Sequence, residues 1–254
     1  MILMTGANGI NAKRPKIGLH LVAETDVDIC ETDPEHAQKV NVKGAENTAM
    51  ACKSVGAIMV YISTGYVFNG KGRQAHTEYD ATGPVNVYGK SKLEGELRVK
   101  DILKEHYIFR ADWMIGGGQH KDKKFSGKVI EMCGKNIDIK AVDDMFSTPT
   151  FALDFLNGIN SLVGRIDFGT YHLANKGVCS RYEMAIEIAR LIGSRSKITP
   201  VSSSEFTAAA LRAQSTGLWN YKLDLLGVNP MPFWKDSLEK YVKEWRKDDK
   251  RQIG

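Results

Sequence analysis

The run Ile58-Met59-Val60-Tyr61-Ile62, five residues with no polar interruption, restricts the fold of this chain more than any other stretch. A strand with one wet face alternates apolar and polar residues, whereas a strand covered on both faces of a parallel sheet is apolar throughout. Shorter strand-like runs at 2–4, 17–22, 107–110, 137–142 and 170–173 alternate with helical patterns, and no internal repeat breaks the alternation. The expected fold is α/β: a Rossmann-like doubly wound parallel sheet with a smaller C-terminal α/β layer.

Composition narrows the function classes. The 254 residues, 43% hydrophobic and 26% charged, suffice for a full core. Cys30, Cys52, Cys133 and Cys179 are widely spaced, with no His placed to complete a zinc site, so reduced thiols in a cytoplasmic protein are expected. The apolar start at 1–5 is too short for a signal peptide, and no run approaches membrane-helix length, so no membrane association is expected. The net charge of +5 comes mainly from lysines at 121–124 and in the last twenty residues, without interleaved aromatics, which argues against nucleic acid. A mildly basic surface does suit an anionic cofactor or a nucleotide-linked substrate.

Chemistry gathers where the buried run ends. Ser63-Thr64 falls at a strand's carboxyl end, the position where open α/β sheets bind ligands. In the following helix Tyr88 and Lys92 stand one turn apart on one face, so a phenol and an ammonium can serve one pocket. A cation beside the phenol is expected to lower its pKa toward useful proton transfer. With nine Tyr in the chain one such pair arises by chance, so its neighbours decide. One neighbour is the glycine turn Thr5-Gly6-Ala7-Asn8-Gly9 after the first strand, which lets backbone amides approach a pyrophosphate. Here the pattern departs from expectation. A strand-helix-strand unit takes roughly 30 residues, yet the next strand signal starts at Ile17, so a segment is expected to be missing between Gly9 and Arg14.

Downstream, Asp33-Pro34 starts a helix that ends at Gly56 and contains Asn41, expected with equal weight on its solvent face or at the site. Trp113 follows the strand at 107–110, where packing is the commoner role. A stripe of Phe155, Leu156, Ile159 and Leu162 is expected to be buried, and Ser180-x-x-Glu183 and Ser202-x-x-Glu205 read as capping boxes. Met231 and Trp234 read as core, as do Leu238, Tyr241, Val242 and Trp245 of the last helix. The expected division is 1–178 for dinucleotide binding and 179–254 for substrate, with contributions from 115–135.

Taken together, Thr5 to Gly9, Ile62-Ser63-Thr64-Gly65-Tyr66-Val67-Phe68, Asn86-Val87-Tyr88-Gly89-Lys90-Ser91-Lys92 and Ser147-Thr148-Pro149-Thr150 resemble the extended short-chain dehydrogenase/reductases, and among them the dTDP-4-dehydrorhamnose reductases most. The resemblance spans nearly the whole chain. It implies NADPH or NADH as hydride donor and reduction of the C4 ketone of a nucleotide-linked 4-keto-6-deoxy sugar. It assigns catalysis to Thr64, Tyr88 and Lys92, and cofactor contacts to Gly6, Asn8, Gly9, Ile10, Ala23, Asn41, Ser63, Tyr88 and Lys92. Substrate contacts fall on Thr64, Tyr66, Trp113 and Arg212. A homodimer is a possible assembly and Mg2+ a possible cofactor, though no ligand cluster for a metal is visible.

Three departures stand out. Gly65 replaces the usual Asp, Glu24 stands beside the expected cofactor channel, and no proline follows Arg212. Two rival readings share the fold: a nucleotide-sugar epimerase or dehydratase, and a non-catalytic subunit resembling the methionine adenosyltransferase β subunit. Dehydration needs an acid-base pair after the Thr, and Gly65-Tyr66 does not supply it. A binding subunit does not need Thr64, Tyr88 and Lys92 in register.

Overall fold

The computed structural model describes residues 2–5 and 15–252, with side chains described for 15–246. Five parallel strands form the main sheet: β1 (Ile2–Thr5), β2 (Ile17–His20), β3 (Ile58–Thr64), β4 (His106–Ala111) and, at the far edge, β9 (Gly169–His172). Ile2 pairs with Ile17 and Ile17 with Ile58, so β2 lies between β1 and the long apolar strand. The turn residues Gly6, Asn8, Gly9 and Ile10 lie outside the described residues, as does the expected missing segment.

The apolar run of β3 is buried on both sides, as its composition requires. Met59 and Tyr61 point into one cluster with Ala45, Ala49 and Cys52 of α3 (Gly44–Val55) and Val99 of α4 (Val87–Ile102). Val60 points the other way, into a cluster with Leu19, Tyr107 and Phe109 and with Phe155, Ile159 and Leu162 of α7 (Ala152–Leu162). Leu156, expected in that stripe, is 46% exposed, because Gly158 rather than a larger residue completes the buried face of α7.

Before α3 come α1 (Val27–Thr32) and α2 (Pro34–Ala37), the latter capped by the Asp33 carboxylate, which accepts the His36 N–H at 3.0 Å. Between α2 and α3 the helix widens into a π-helical segment, Gln38–Lys43. Gly56 closes α3 in the left-handed region at φ 68°.

A second core draws on the middle and the end of the chain. It holds Ile115 of β5 (Met114–Ile115), Ile139 and Ala141 of β6 (Ile139–Val142), Phe151 of β8 (Thr150–Phe151) and Cys179 of β10 (Cys179–Ser180). Helices α6 (Phe125–Gly134), α8 (Arg181–Ile192) and α10 (Trp234–Gln252) pack there, with the short α5 (Gly118–Lys121) against α10. Strand β5 pairs with β8, β6 with β11 (Ile198–Val201), and β7 (Phe146–Ser147) with β10. Helix α9 (Tyr221–Leu225) packs on β9. Met231, Trp234, Leu238, Tyr241, Val242 and Trp245 are all buried, as their spacing predicts.

The two capping boxes part ways. At Ser180 both arms form: its hydroxyl accepts the Glu183 N–H at 3.1 Å, and the Glu183 carboxylate accepts the Ser180 N–H at 2.8 Å. At Ser202 only a 3-10 turn forms, Ser203–Glu205. The Ser202 hydroxyl donates to Asp144 at 2.7 Å, and the Ser203 N–H is taken by the same carboxylate, which holds the segment to its neighbour instead of starting a helix.

Candidate active site

Strand β3 ends at Ser63 and Thr64, paired with Arg110 and Ala111 of β4, and both hydroxyl residues are buried. Helix α4 starts beside them because the Asn86 side chain accepts the Gly89 N–H at 2.9 Å and donates to the Leu211 carbonyl at 2.8 Å. Two glycines set its depth. A Cβ on Gly89 would meet the Tyr66 carbonyl at 2.2 Å, and one on Gly95 would meet the Tyr61 hydroxyl at 2.4 Å. The helix therefore lies close on the sheet end.

Its inward face is chemical rather than apolar. Tyr88, Ser91, Lys92 and Glu96 are buried while Leu97 is 51% exposed. Glu96 takes both arms of the Arg110 guanidinium, at 2.8 and 2.7 Å, and the charges of this buried pair hold its carboxyl below the usual range against the burial that raises it. Lys92 Nζ donates to the Ile62 carbonyl at 2.7 Å and lies 4.3 Å from the Tyr61 ring centre. Burial drives the Lys92 pKa down to about 7, with Glu96 opposing.

Burial also raises the Tyr88 phenol, and the facing Thr64 hydroxyl works against that rise while Tyr66, Asp112 and Cys30 add to it. The sequence suggests instead that Lys92 lowers Tyr88. The lysine points at the Ile62 carbonyl and is itself half-neutral near pH 7, so its field is weak and desolvation wins. The consequence is a phenol that carries its proton at neutral pH.

Asn41 is fully buried, which removes the solvent-facing alternative. It stands in the π-helical segment, where its side chain accepts the Glu24 N–H at 2.8 Å and donates to the Glu24 carbonyl at 3.2 Å and to Ser91 Oγ at 2.9 Å. It thereby ties the chain after β2, including the half-buried Ala23, to α4. The Glu24 carboxylate bonds the Asp26 N–H and His36.

The space beside Gly65 is already taken. A Cβ there would meet the Thr216 carbonyl at 2.3 Å and the Asp112 side chain at 3.3 Å. The carboxylate that the resemblance expects at 65 is thus replaced by one arriving from the end of β4. Asp112 Oδ2 accepts from the Thr148 N–H at 3.0 Å and the Thr216 hydroxyl at 2.8 Å, yet burial still pushes its pKa up to about 7.

Farther out, Tyr66 packs edge-on to Tyr88 with ring centres 5.4 Å apart. Trp113 is half-buried and holds φ at 36°, a left-handed conformation that costs a non-glycine residue about 1–3 kcal/mol. Its ring lies 3.9 Å from the Arg181 guanidinium. Arg212 is held by Asp28 at 3.2 and 2.7 Å. The fold thus gathers Ser63, Thr64, Tyr66, Tyr88, Lys92 and Trp113 around the sheet end, with Asn41 behind α4 and Arg212 tied to α1. Asp112 and Arg181 escaped the sequence reading. Asp112 directly precedes Trp113 at a strand's carboxyl end, a usable signal, whereas nothing local distinguishes Arg181 from a first-turn helix residue.

The family described as RmlD substrate binding domain matches residues 4–247. The spore coat polysaccharide biosynthesis protein SpsK of Bacillus subtilis is 32% identical over 231 residues, 91% of this chain and 80% of its own length. A dTDP-4-dehydrorhamnose reductase structure from Clostridium acetobutylicum superposes with a TM-score of 0.87 at 38% identity, covering 93% of this chain and 83% of that one. The dTDP-4-dehydrorhamnose reductase of Bacillus anthracis, solved in complex with NADP, gives a TM-score of 0.85 at 36% identity over 91% and 81% of the two chains. Among the described residues no helix is long and apolar enough to cross a membrane, and no group of three or more His, Cys, Asp or Glu could hold a metal ion.

Proposed function

Because this chain belongs to the RmlD substrate binding domain family, we propose that it is an NADPH- or NADH-dependent reductase of the C4 ketone of dTDP-4-dehydrorhamnose. The observation that carries this reading is the meeting of Thr64, Tyr88 and Lys92 at one sheet end, in a chain similar over most of its length to such reductases. We further propose that the main sheet serves the cofactor and the second core the sugar nucleotide.

The residues present suit a nicotinamide dinucleotide. Among the described residues Lys92 Nζ donates to one acceptor, the Ile62 carbonyl, and whether charged or neutral it keeps at least one further N–H for the hydroxyls of a ribose. When bound, the nicotinamide supplies the hydride. This chain's part is then orientation and proton transfer. Thr64 donates a hydrogen bond that orients the ketone, and Tyr88 gives its proton to the C4 oxygen as negative charge develops there. A phenol kept protonated by burial is in the correct state for that step. Asp112 adds one carboxyl to the site. Elimination of water would need a base as well as an acid, and the groups facing Asp112 are Tyr66, Tyr88, Cys179 and Arg181.

Loss of nicotinamide absorbance with dTDP-4-dehydrorhamnose tests the proposal. Wild type turns over, and Tyr88→Phe loses at least about a hundredfold in kcat, the scale of general-acid catalysis. Equal rates would remove Tyr88 from the mechanism. An inactive wild type that binds a protein partner tightly would favour the regulatory-subunit reading.

A further inference from the structure

Arg181 is a cation that faces the Asp112 carboxyl across the site. Its Nη1 is buried and meets no acceptor among the described residues. The guanidinium lies over two rings, Trp113 at 3.9 Å and Phe125 at 5.1 Å. A buried guanidinium N–H is costly to leave unmet, and stacking on a ring does not satisfy it.

The surroundings say what would meet them. Tyr66, edge-on to the candidate acid, feels the charges of both Arg181 and Arg212. Arg212 is already gripped by the two oxygens of Asp28, which offsets its charge and fixes its direction. Asp112 faces Arg181 but spends Oδ2 on Thr148 and Thr216, and burial favours its neutral form. Among the described residues, Arg181 therefore keeps an unmet donor beside Tyr66, the ring that packs against the proton donor.

We propose that Arg181, stacked on Trp113, is the main ligand for the diphosphate of the sugar nucleotide, with Arg212 as a second arm fixed by Asp28. The assignment rests on the proposed reductase reading. It deepens that reading, because the sugar's anomeric oxygen carries the diphosphate on the side of the ring opposite C4. It also moves the phosphate-binding role from Arg212, where the resemblance puts it, to a residue that no motif marks.

Calorimetric titration with dTDP, inorganic pyrophosphate and NADPH tests it on wild type, Arg181→Met and Arg181→Lys. Methionine keeps a packed stem on Trp113, and lysine keeps the charge. Arg181→Met should weaken dTDP and pyrophosphate by about 10- to 100-fold and leave NADPH unchanged, with Arg181→Lys intermediate. Wild-type dTDP affinity should also fall as salt is raised. In turnover, KM for the sugar nucleotide should rise by the same factor as the dTDP dissociation constant, with kcat altered little. Unchanged dTDP binding in Arg181→Met overturns the assignment, as does wild type that binds neither dTDP nor pyrophosphate. Wild type that binds pyrophosphate through Arg181 but not dTDP would uphold the anion site and sink the dTDP-sugar reading. Should Arg181→Met fail to fold, Arg181→Lys decides, since a merely structural cation would leave its dTDP affinity at the wild-type value.

Discussion

Lys92→Met should make the protein more stable and inactive. Burial lowers the Lys92 pKa from 10.5 to about 7. At about 1.4 kcal/mol per unit, housing this side chain at pH 7 costs roughly 4 kcal/mol relative to the unfolded chain. Methionine has a similar shape and no charge to desolvate. It forfeits the hydrogen bond to the Ile62 carbonyl, about 1 kcal/mol, so the expected net gain is about 3 kcal/mol, or several degrees in Tm for a chain of this size. The sign carries a second test. The folded pKa lies below the unfolded one, so between about 7 and 10.5 the unfolded chain binds more protons and wild-type stability rises with pH. The gap between variant and wild type should therefore be widest at or below pH 7 and nearly closed by pH 10. Urea unfolding of both proteins across this range measures it. A variant less stable than wild type at pH 7, or a gap independent of pH, would refute the argument that Lys92 is a desolvated cation.

Three other outcomes follow from the same site. Glu96→Gln strands the buried Arg110 and should cost about 3–5 kcal/mol in urea unfolding; a loss under 1 kcal/mol would mean water reaches the pair. Asp112 has its pKa raised from 3.8 to about 7, so the folded state holds its proton more firmly and wild type loses about 4 kcal/mol as pH climbs between those values. Asp112→Asn should abolish that slope, and parallel stability profiles for the two proteins would refute it. Gly65→Ala should lower stability by about 1–3 kcal/mol because its Cβ meets the rigid Thr216 carbonyl at 2.3 Å; an unchanged Tm would show that this strand end can move aside.

The fold was legible because burial on two faces leaves an unmistakable run in β3, and because Asp33, Gly56 and the Ser180-Glu183 pair mark helix ends by local chemistry. Ser202-Glu205 has the same spacing, but Asp144, distant in sequence, claims its donors. That Thr64, Tyr88 and Lys92 meet at one sheet end could be read because strand end and helix phase are both local properties. The ionisation of Tyr88 and Lys92 could not, since it depends on how deeply two glycines let α4 sink. Glu96 with Arg110, and Asp112 beside Gly65, are contacts across neighbouring strands or between strand and helix. No pattern within a single element announces them.

The π-helical segment at Gln38–Lys43 also makes the length of this chain part of its chemistry. A residue in a helix turns the next by about 100°, so deleting one residue there, and closing the widened turn, would swing Asn41 off Ser91 and Glu24 even though every side chain that bonds was retained. Substitution scans would pass over most of this segment as tolerant. A single-codon deletion ahead of Asn41, at Gln38, Lys39 or Val40, should break these contacts, and an alanine inserted alongside should restore Asn41 only if it returned the count to its original value.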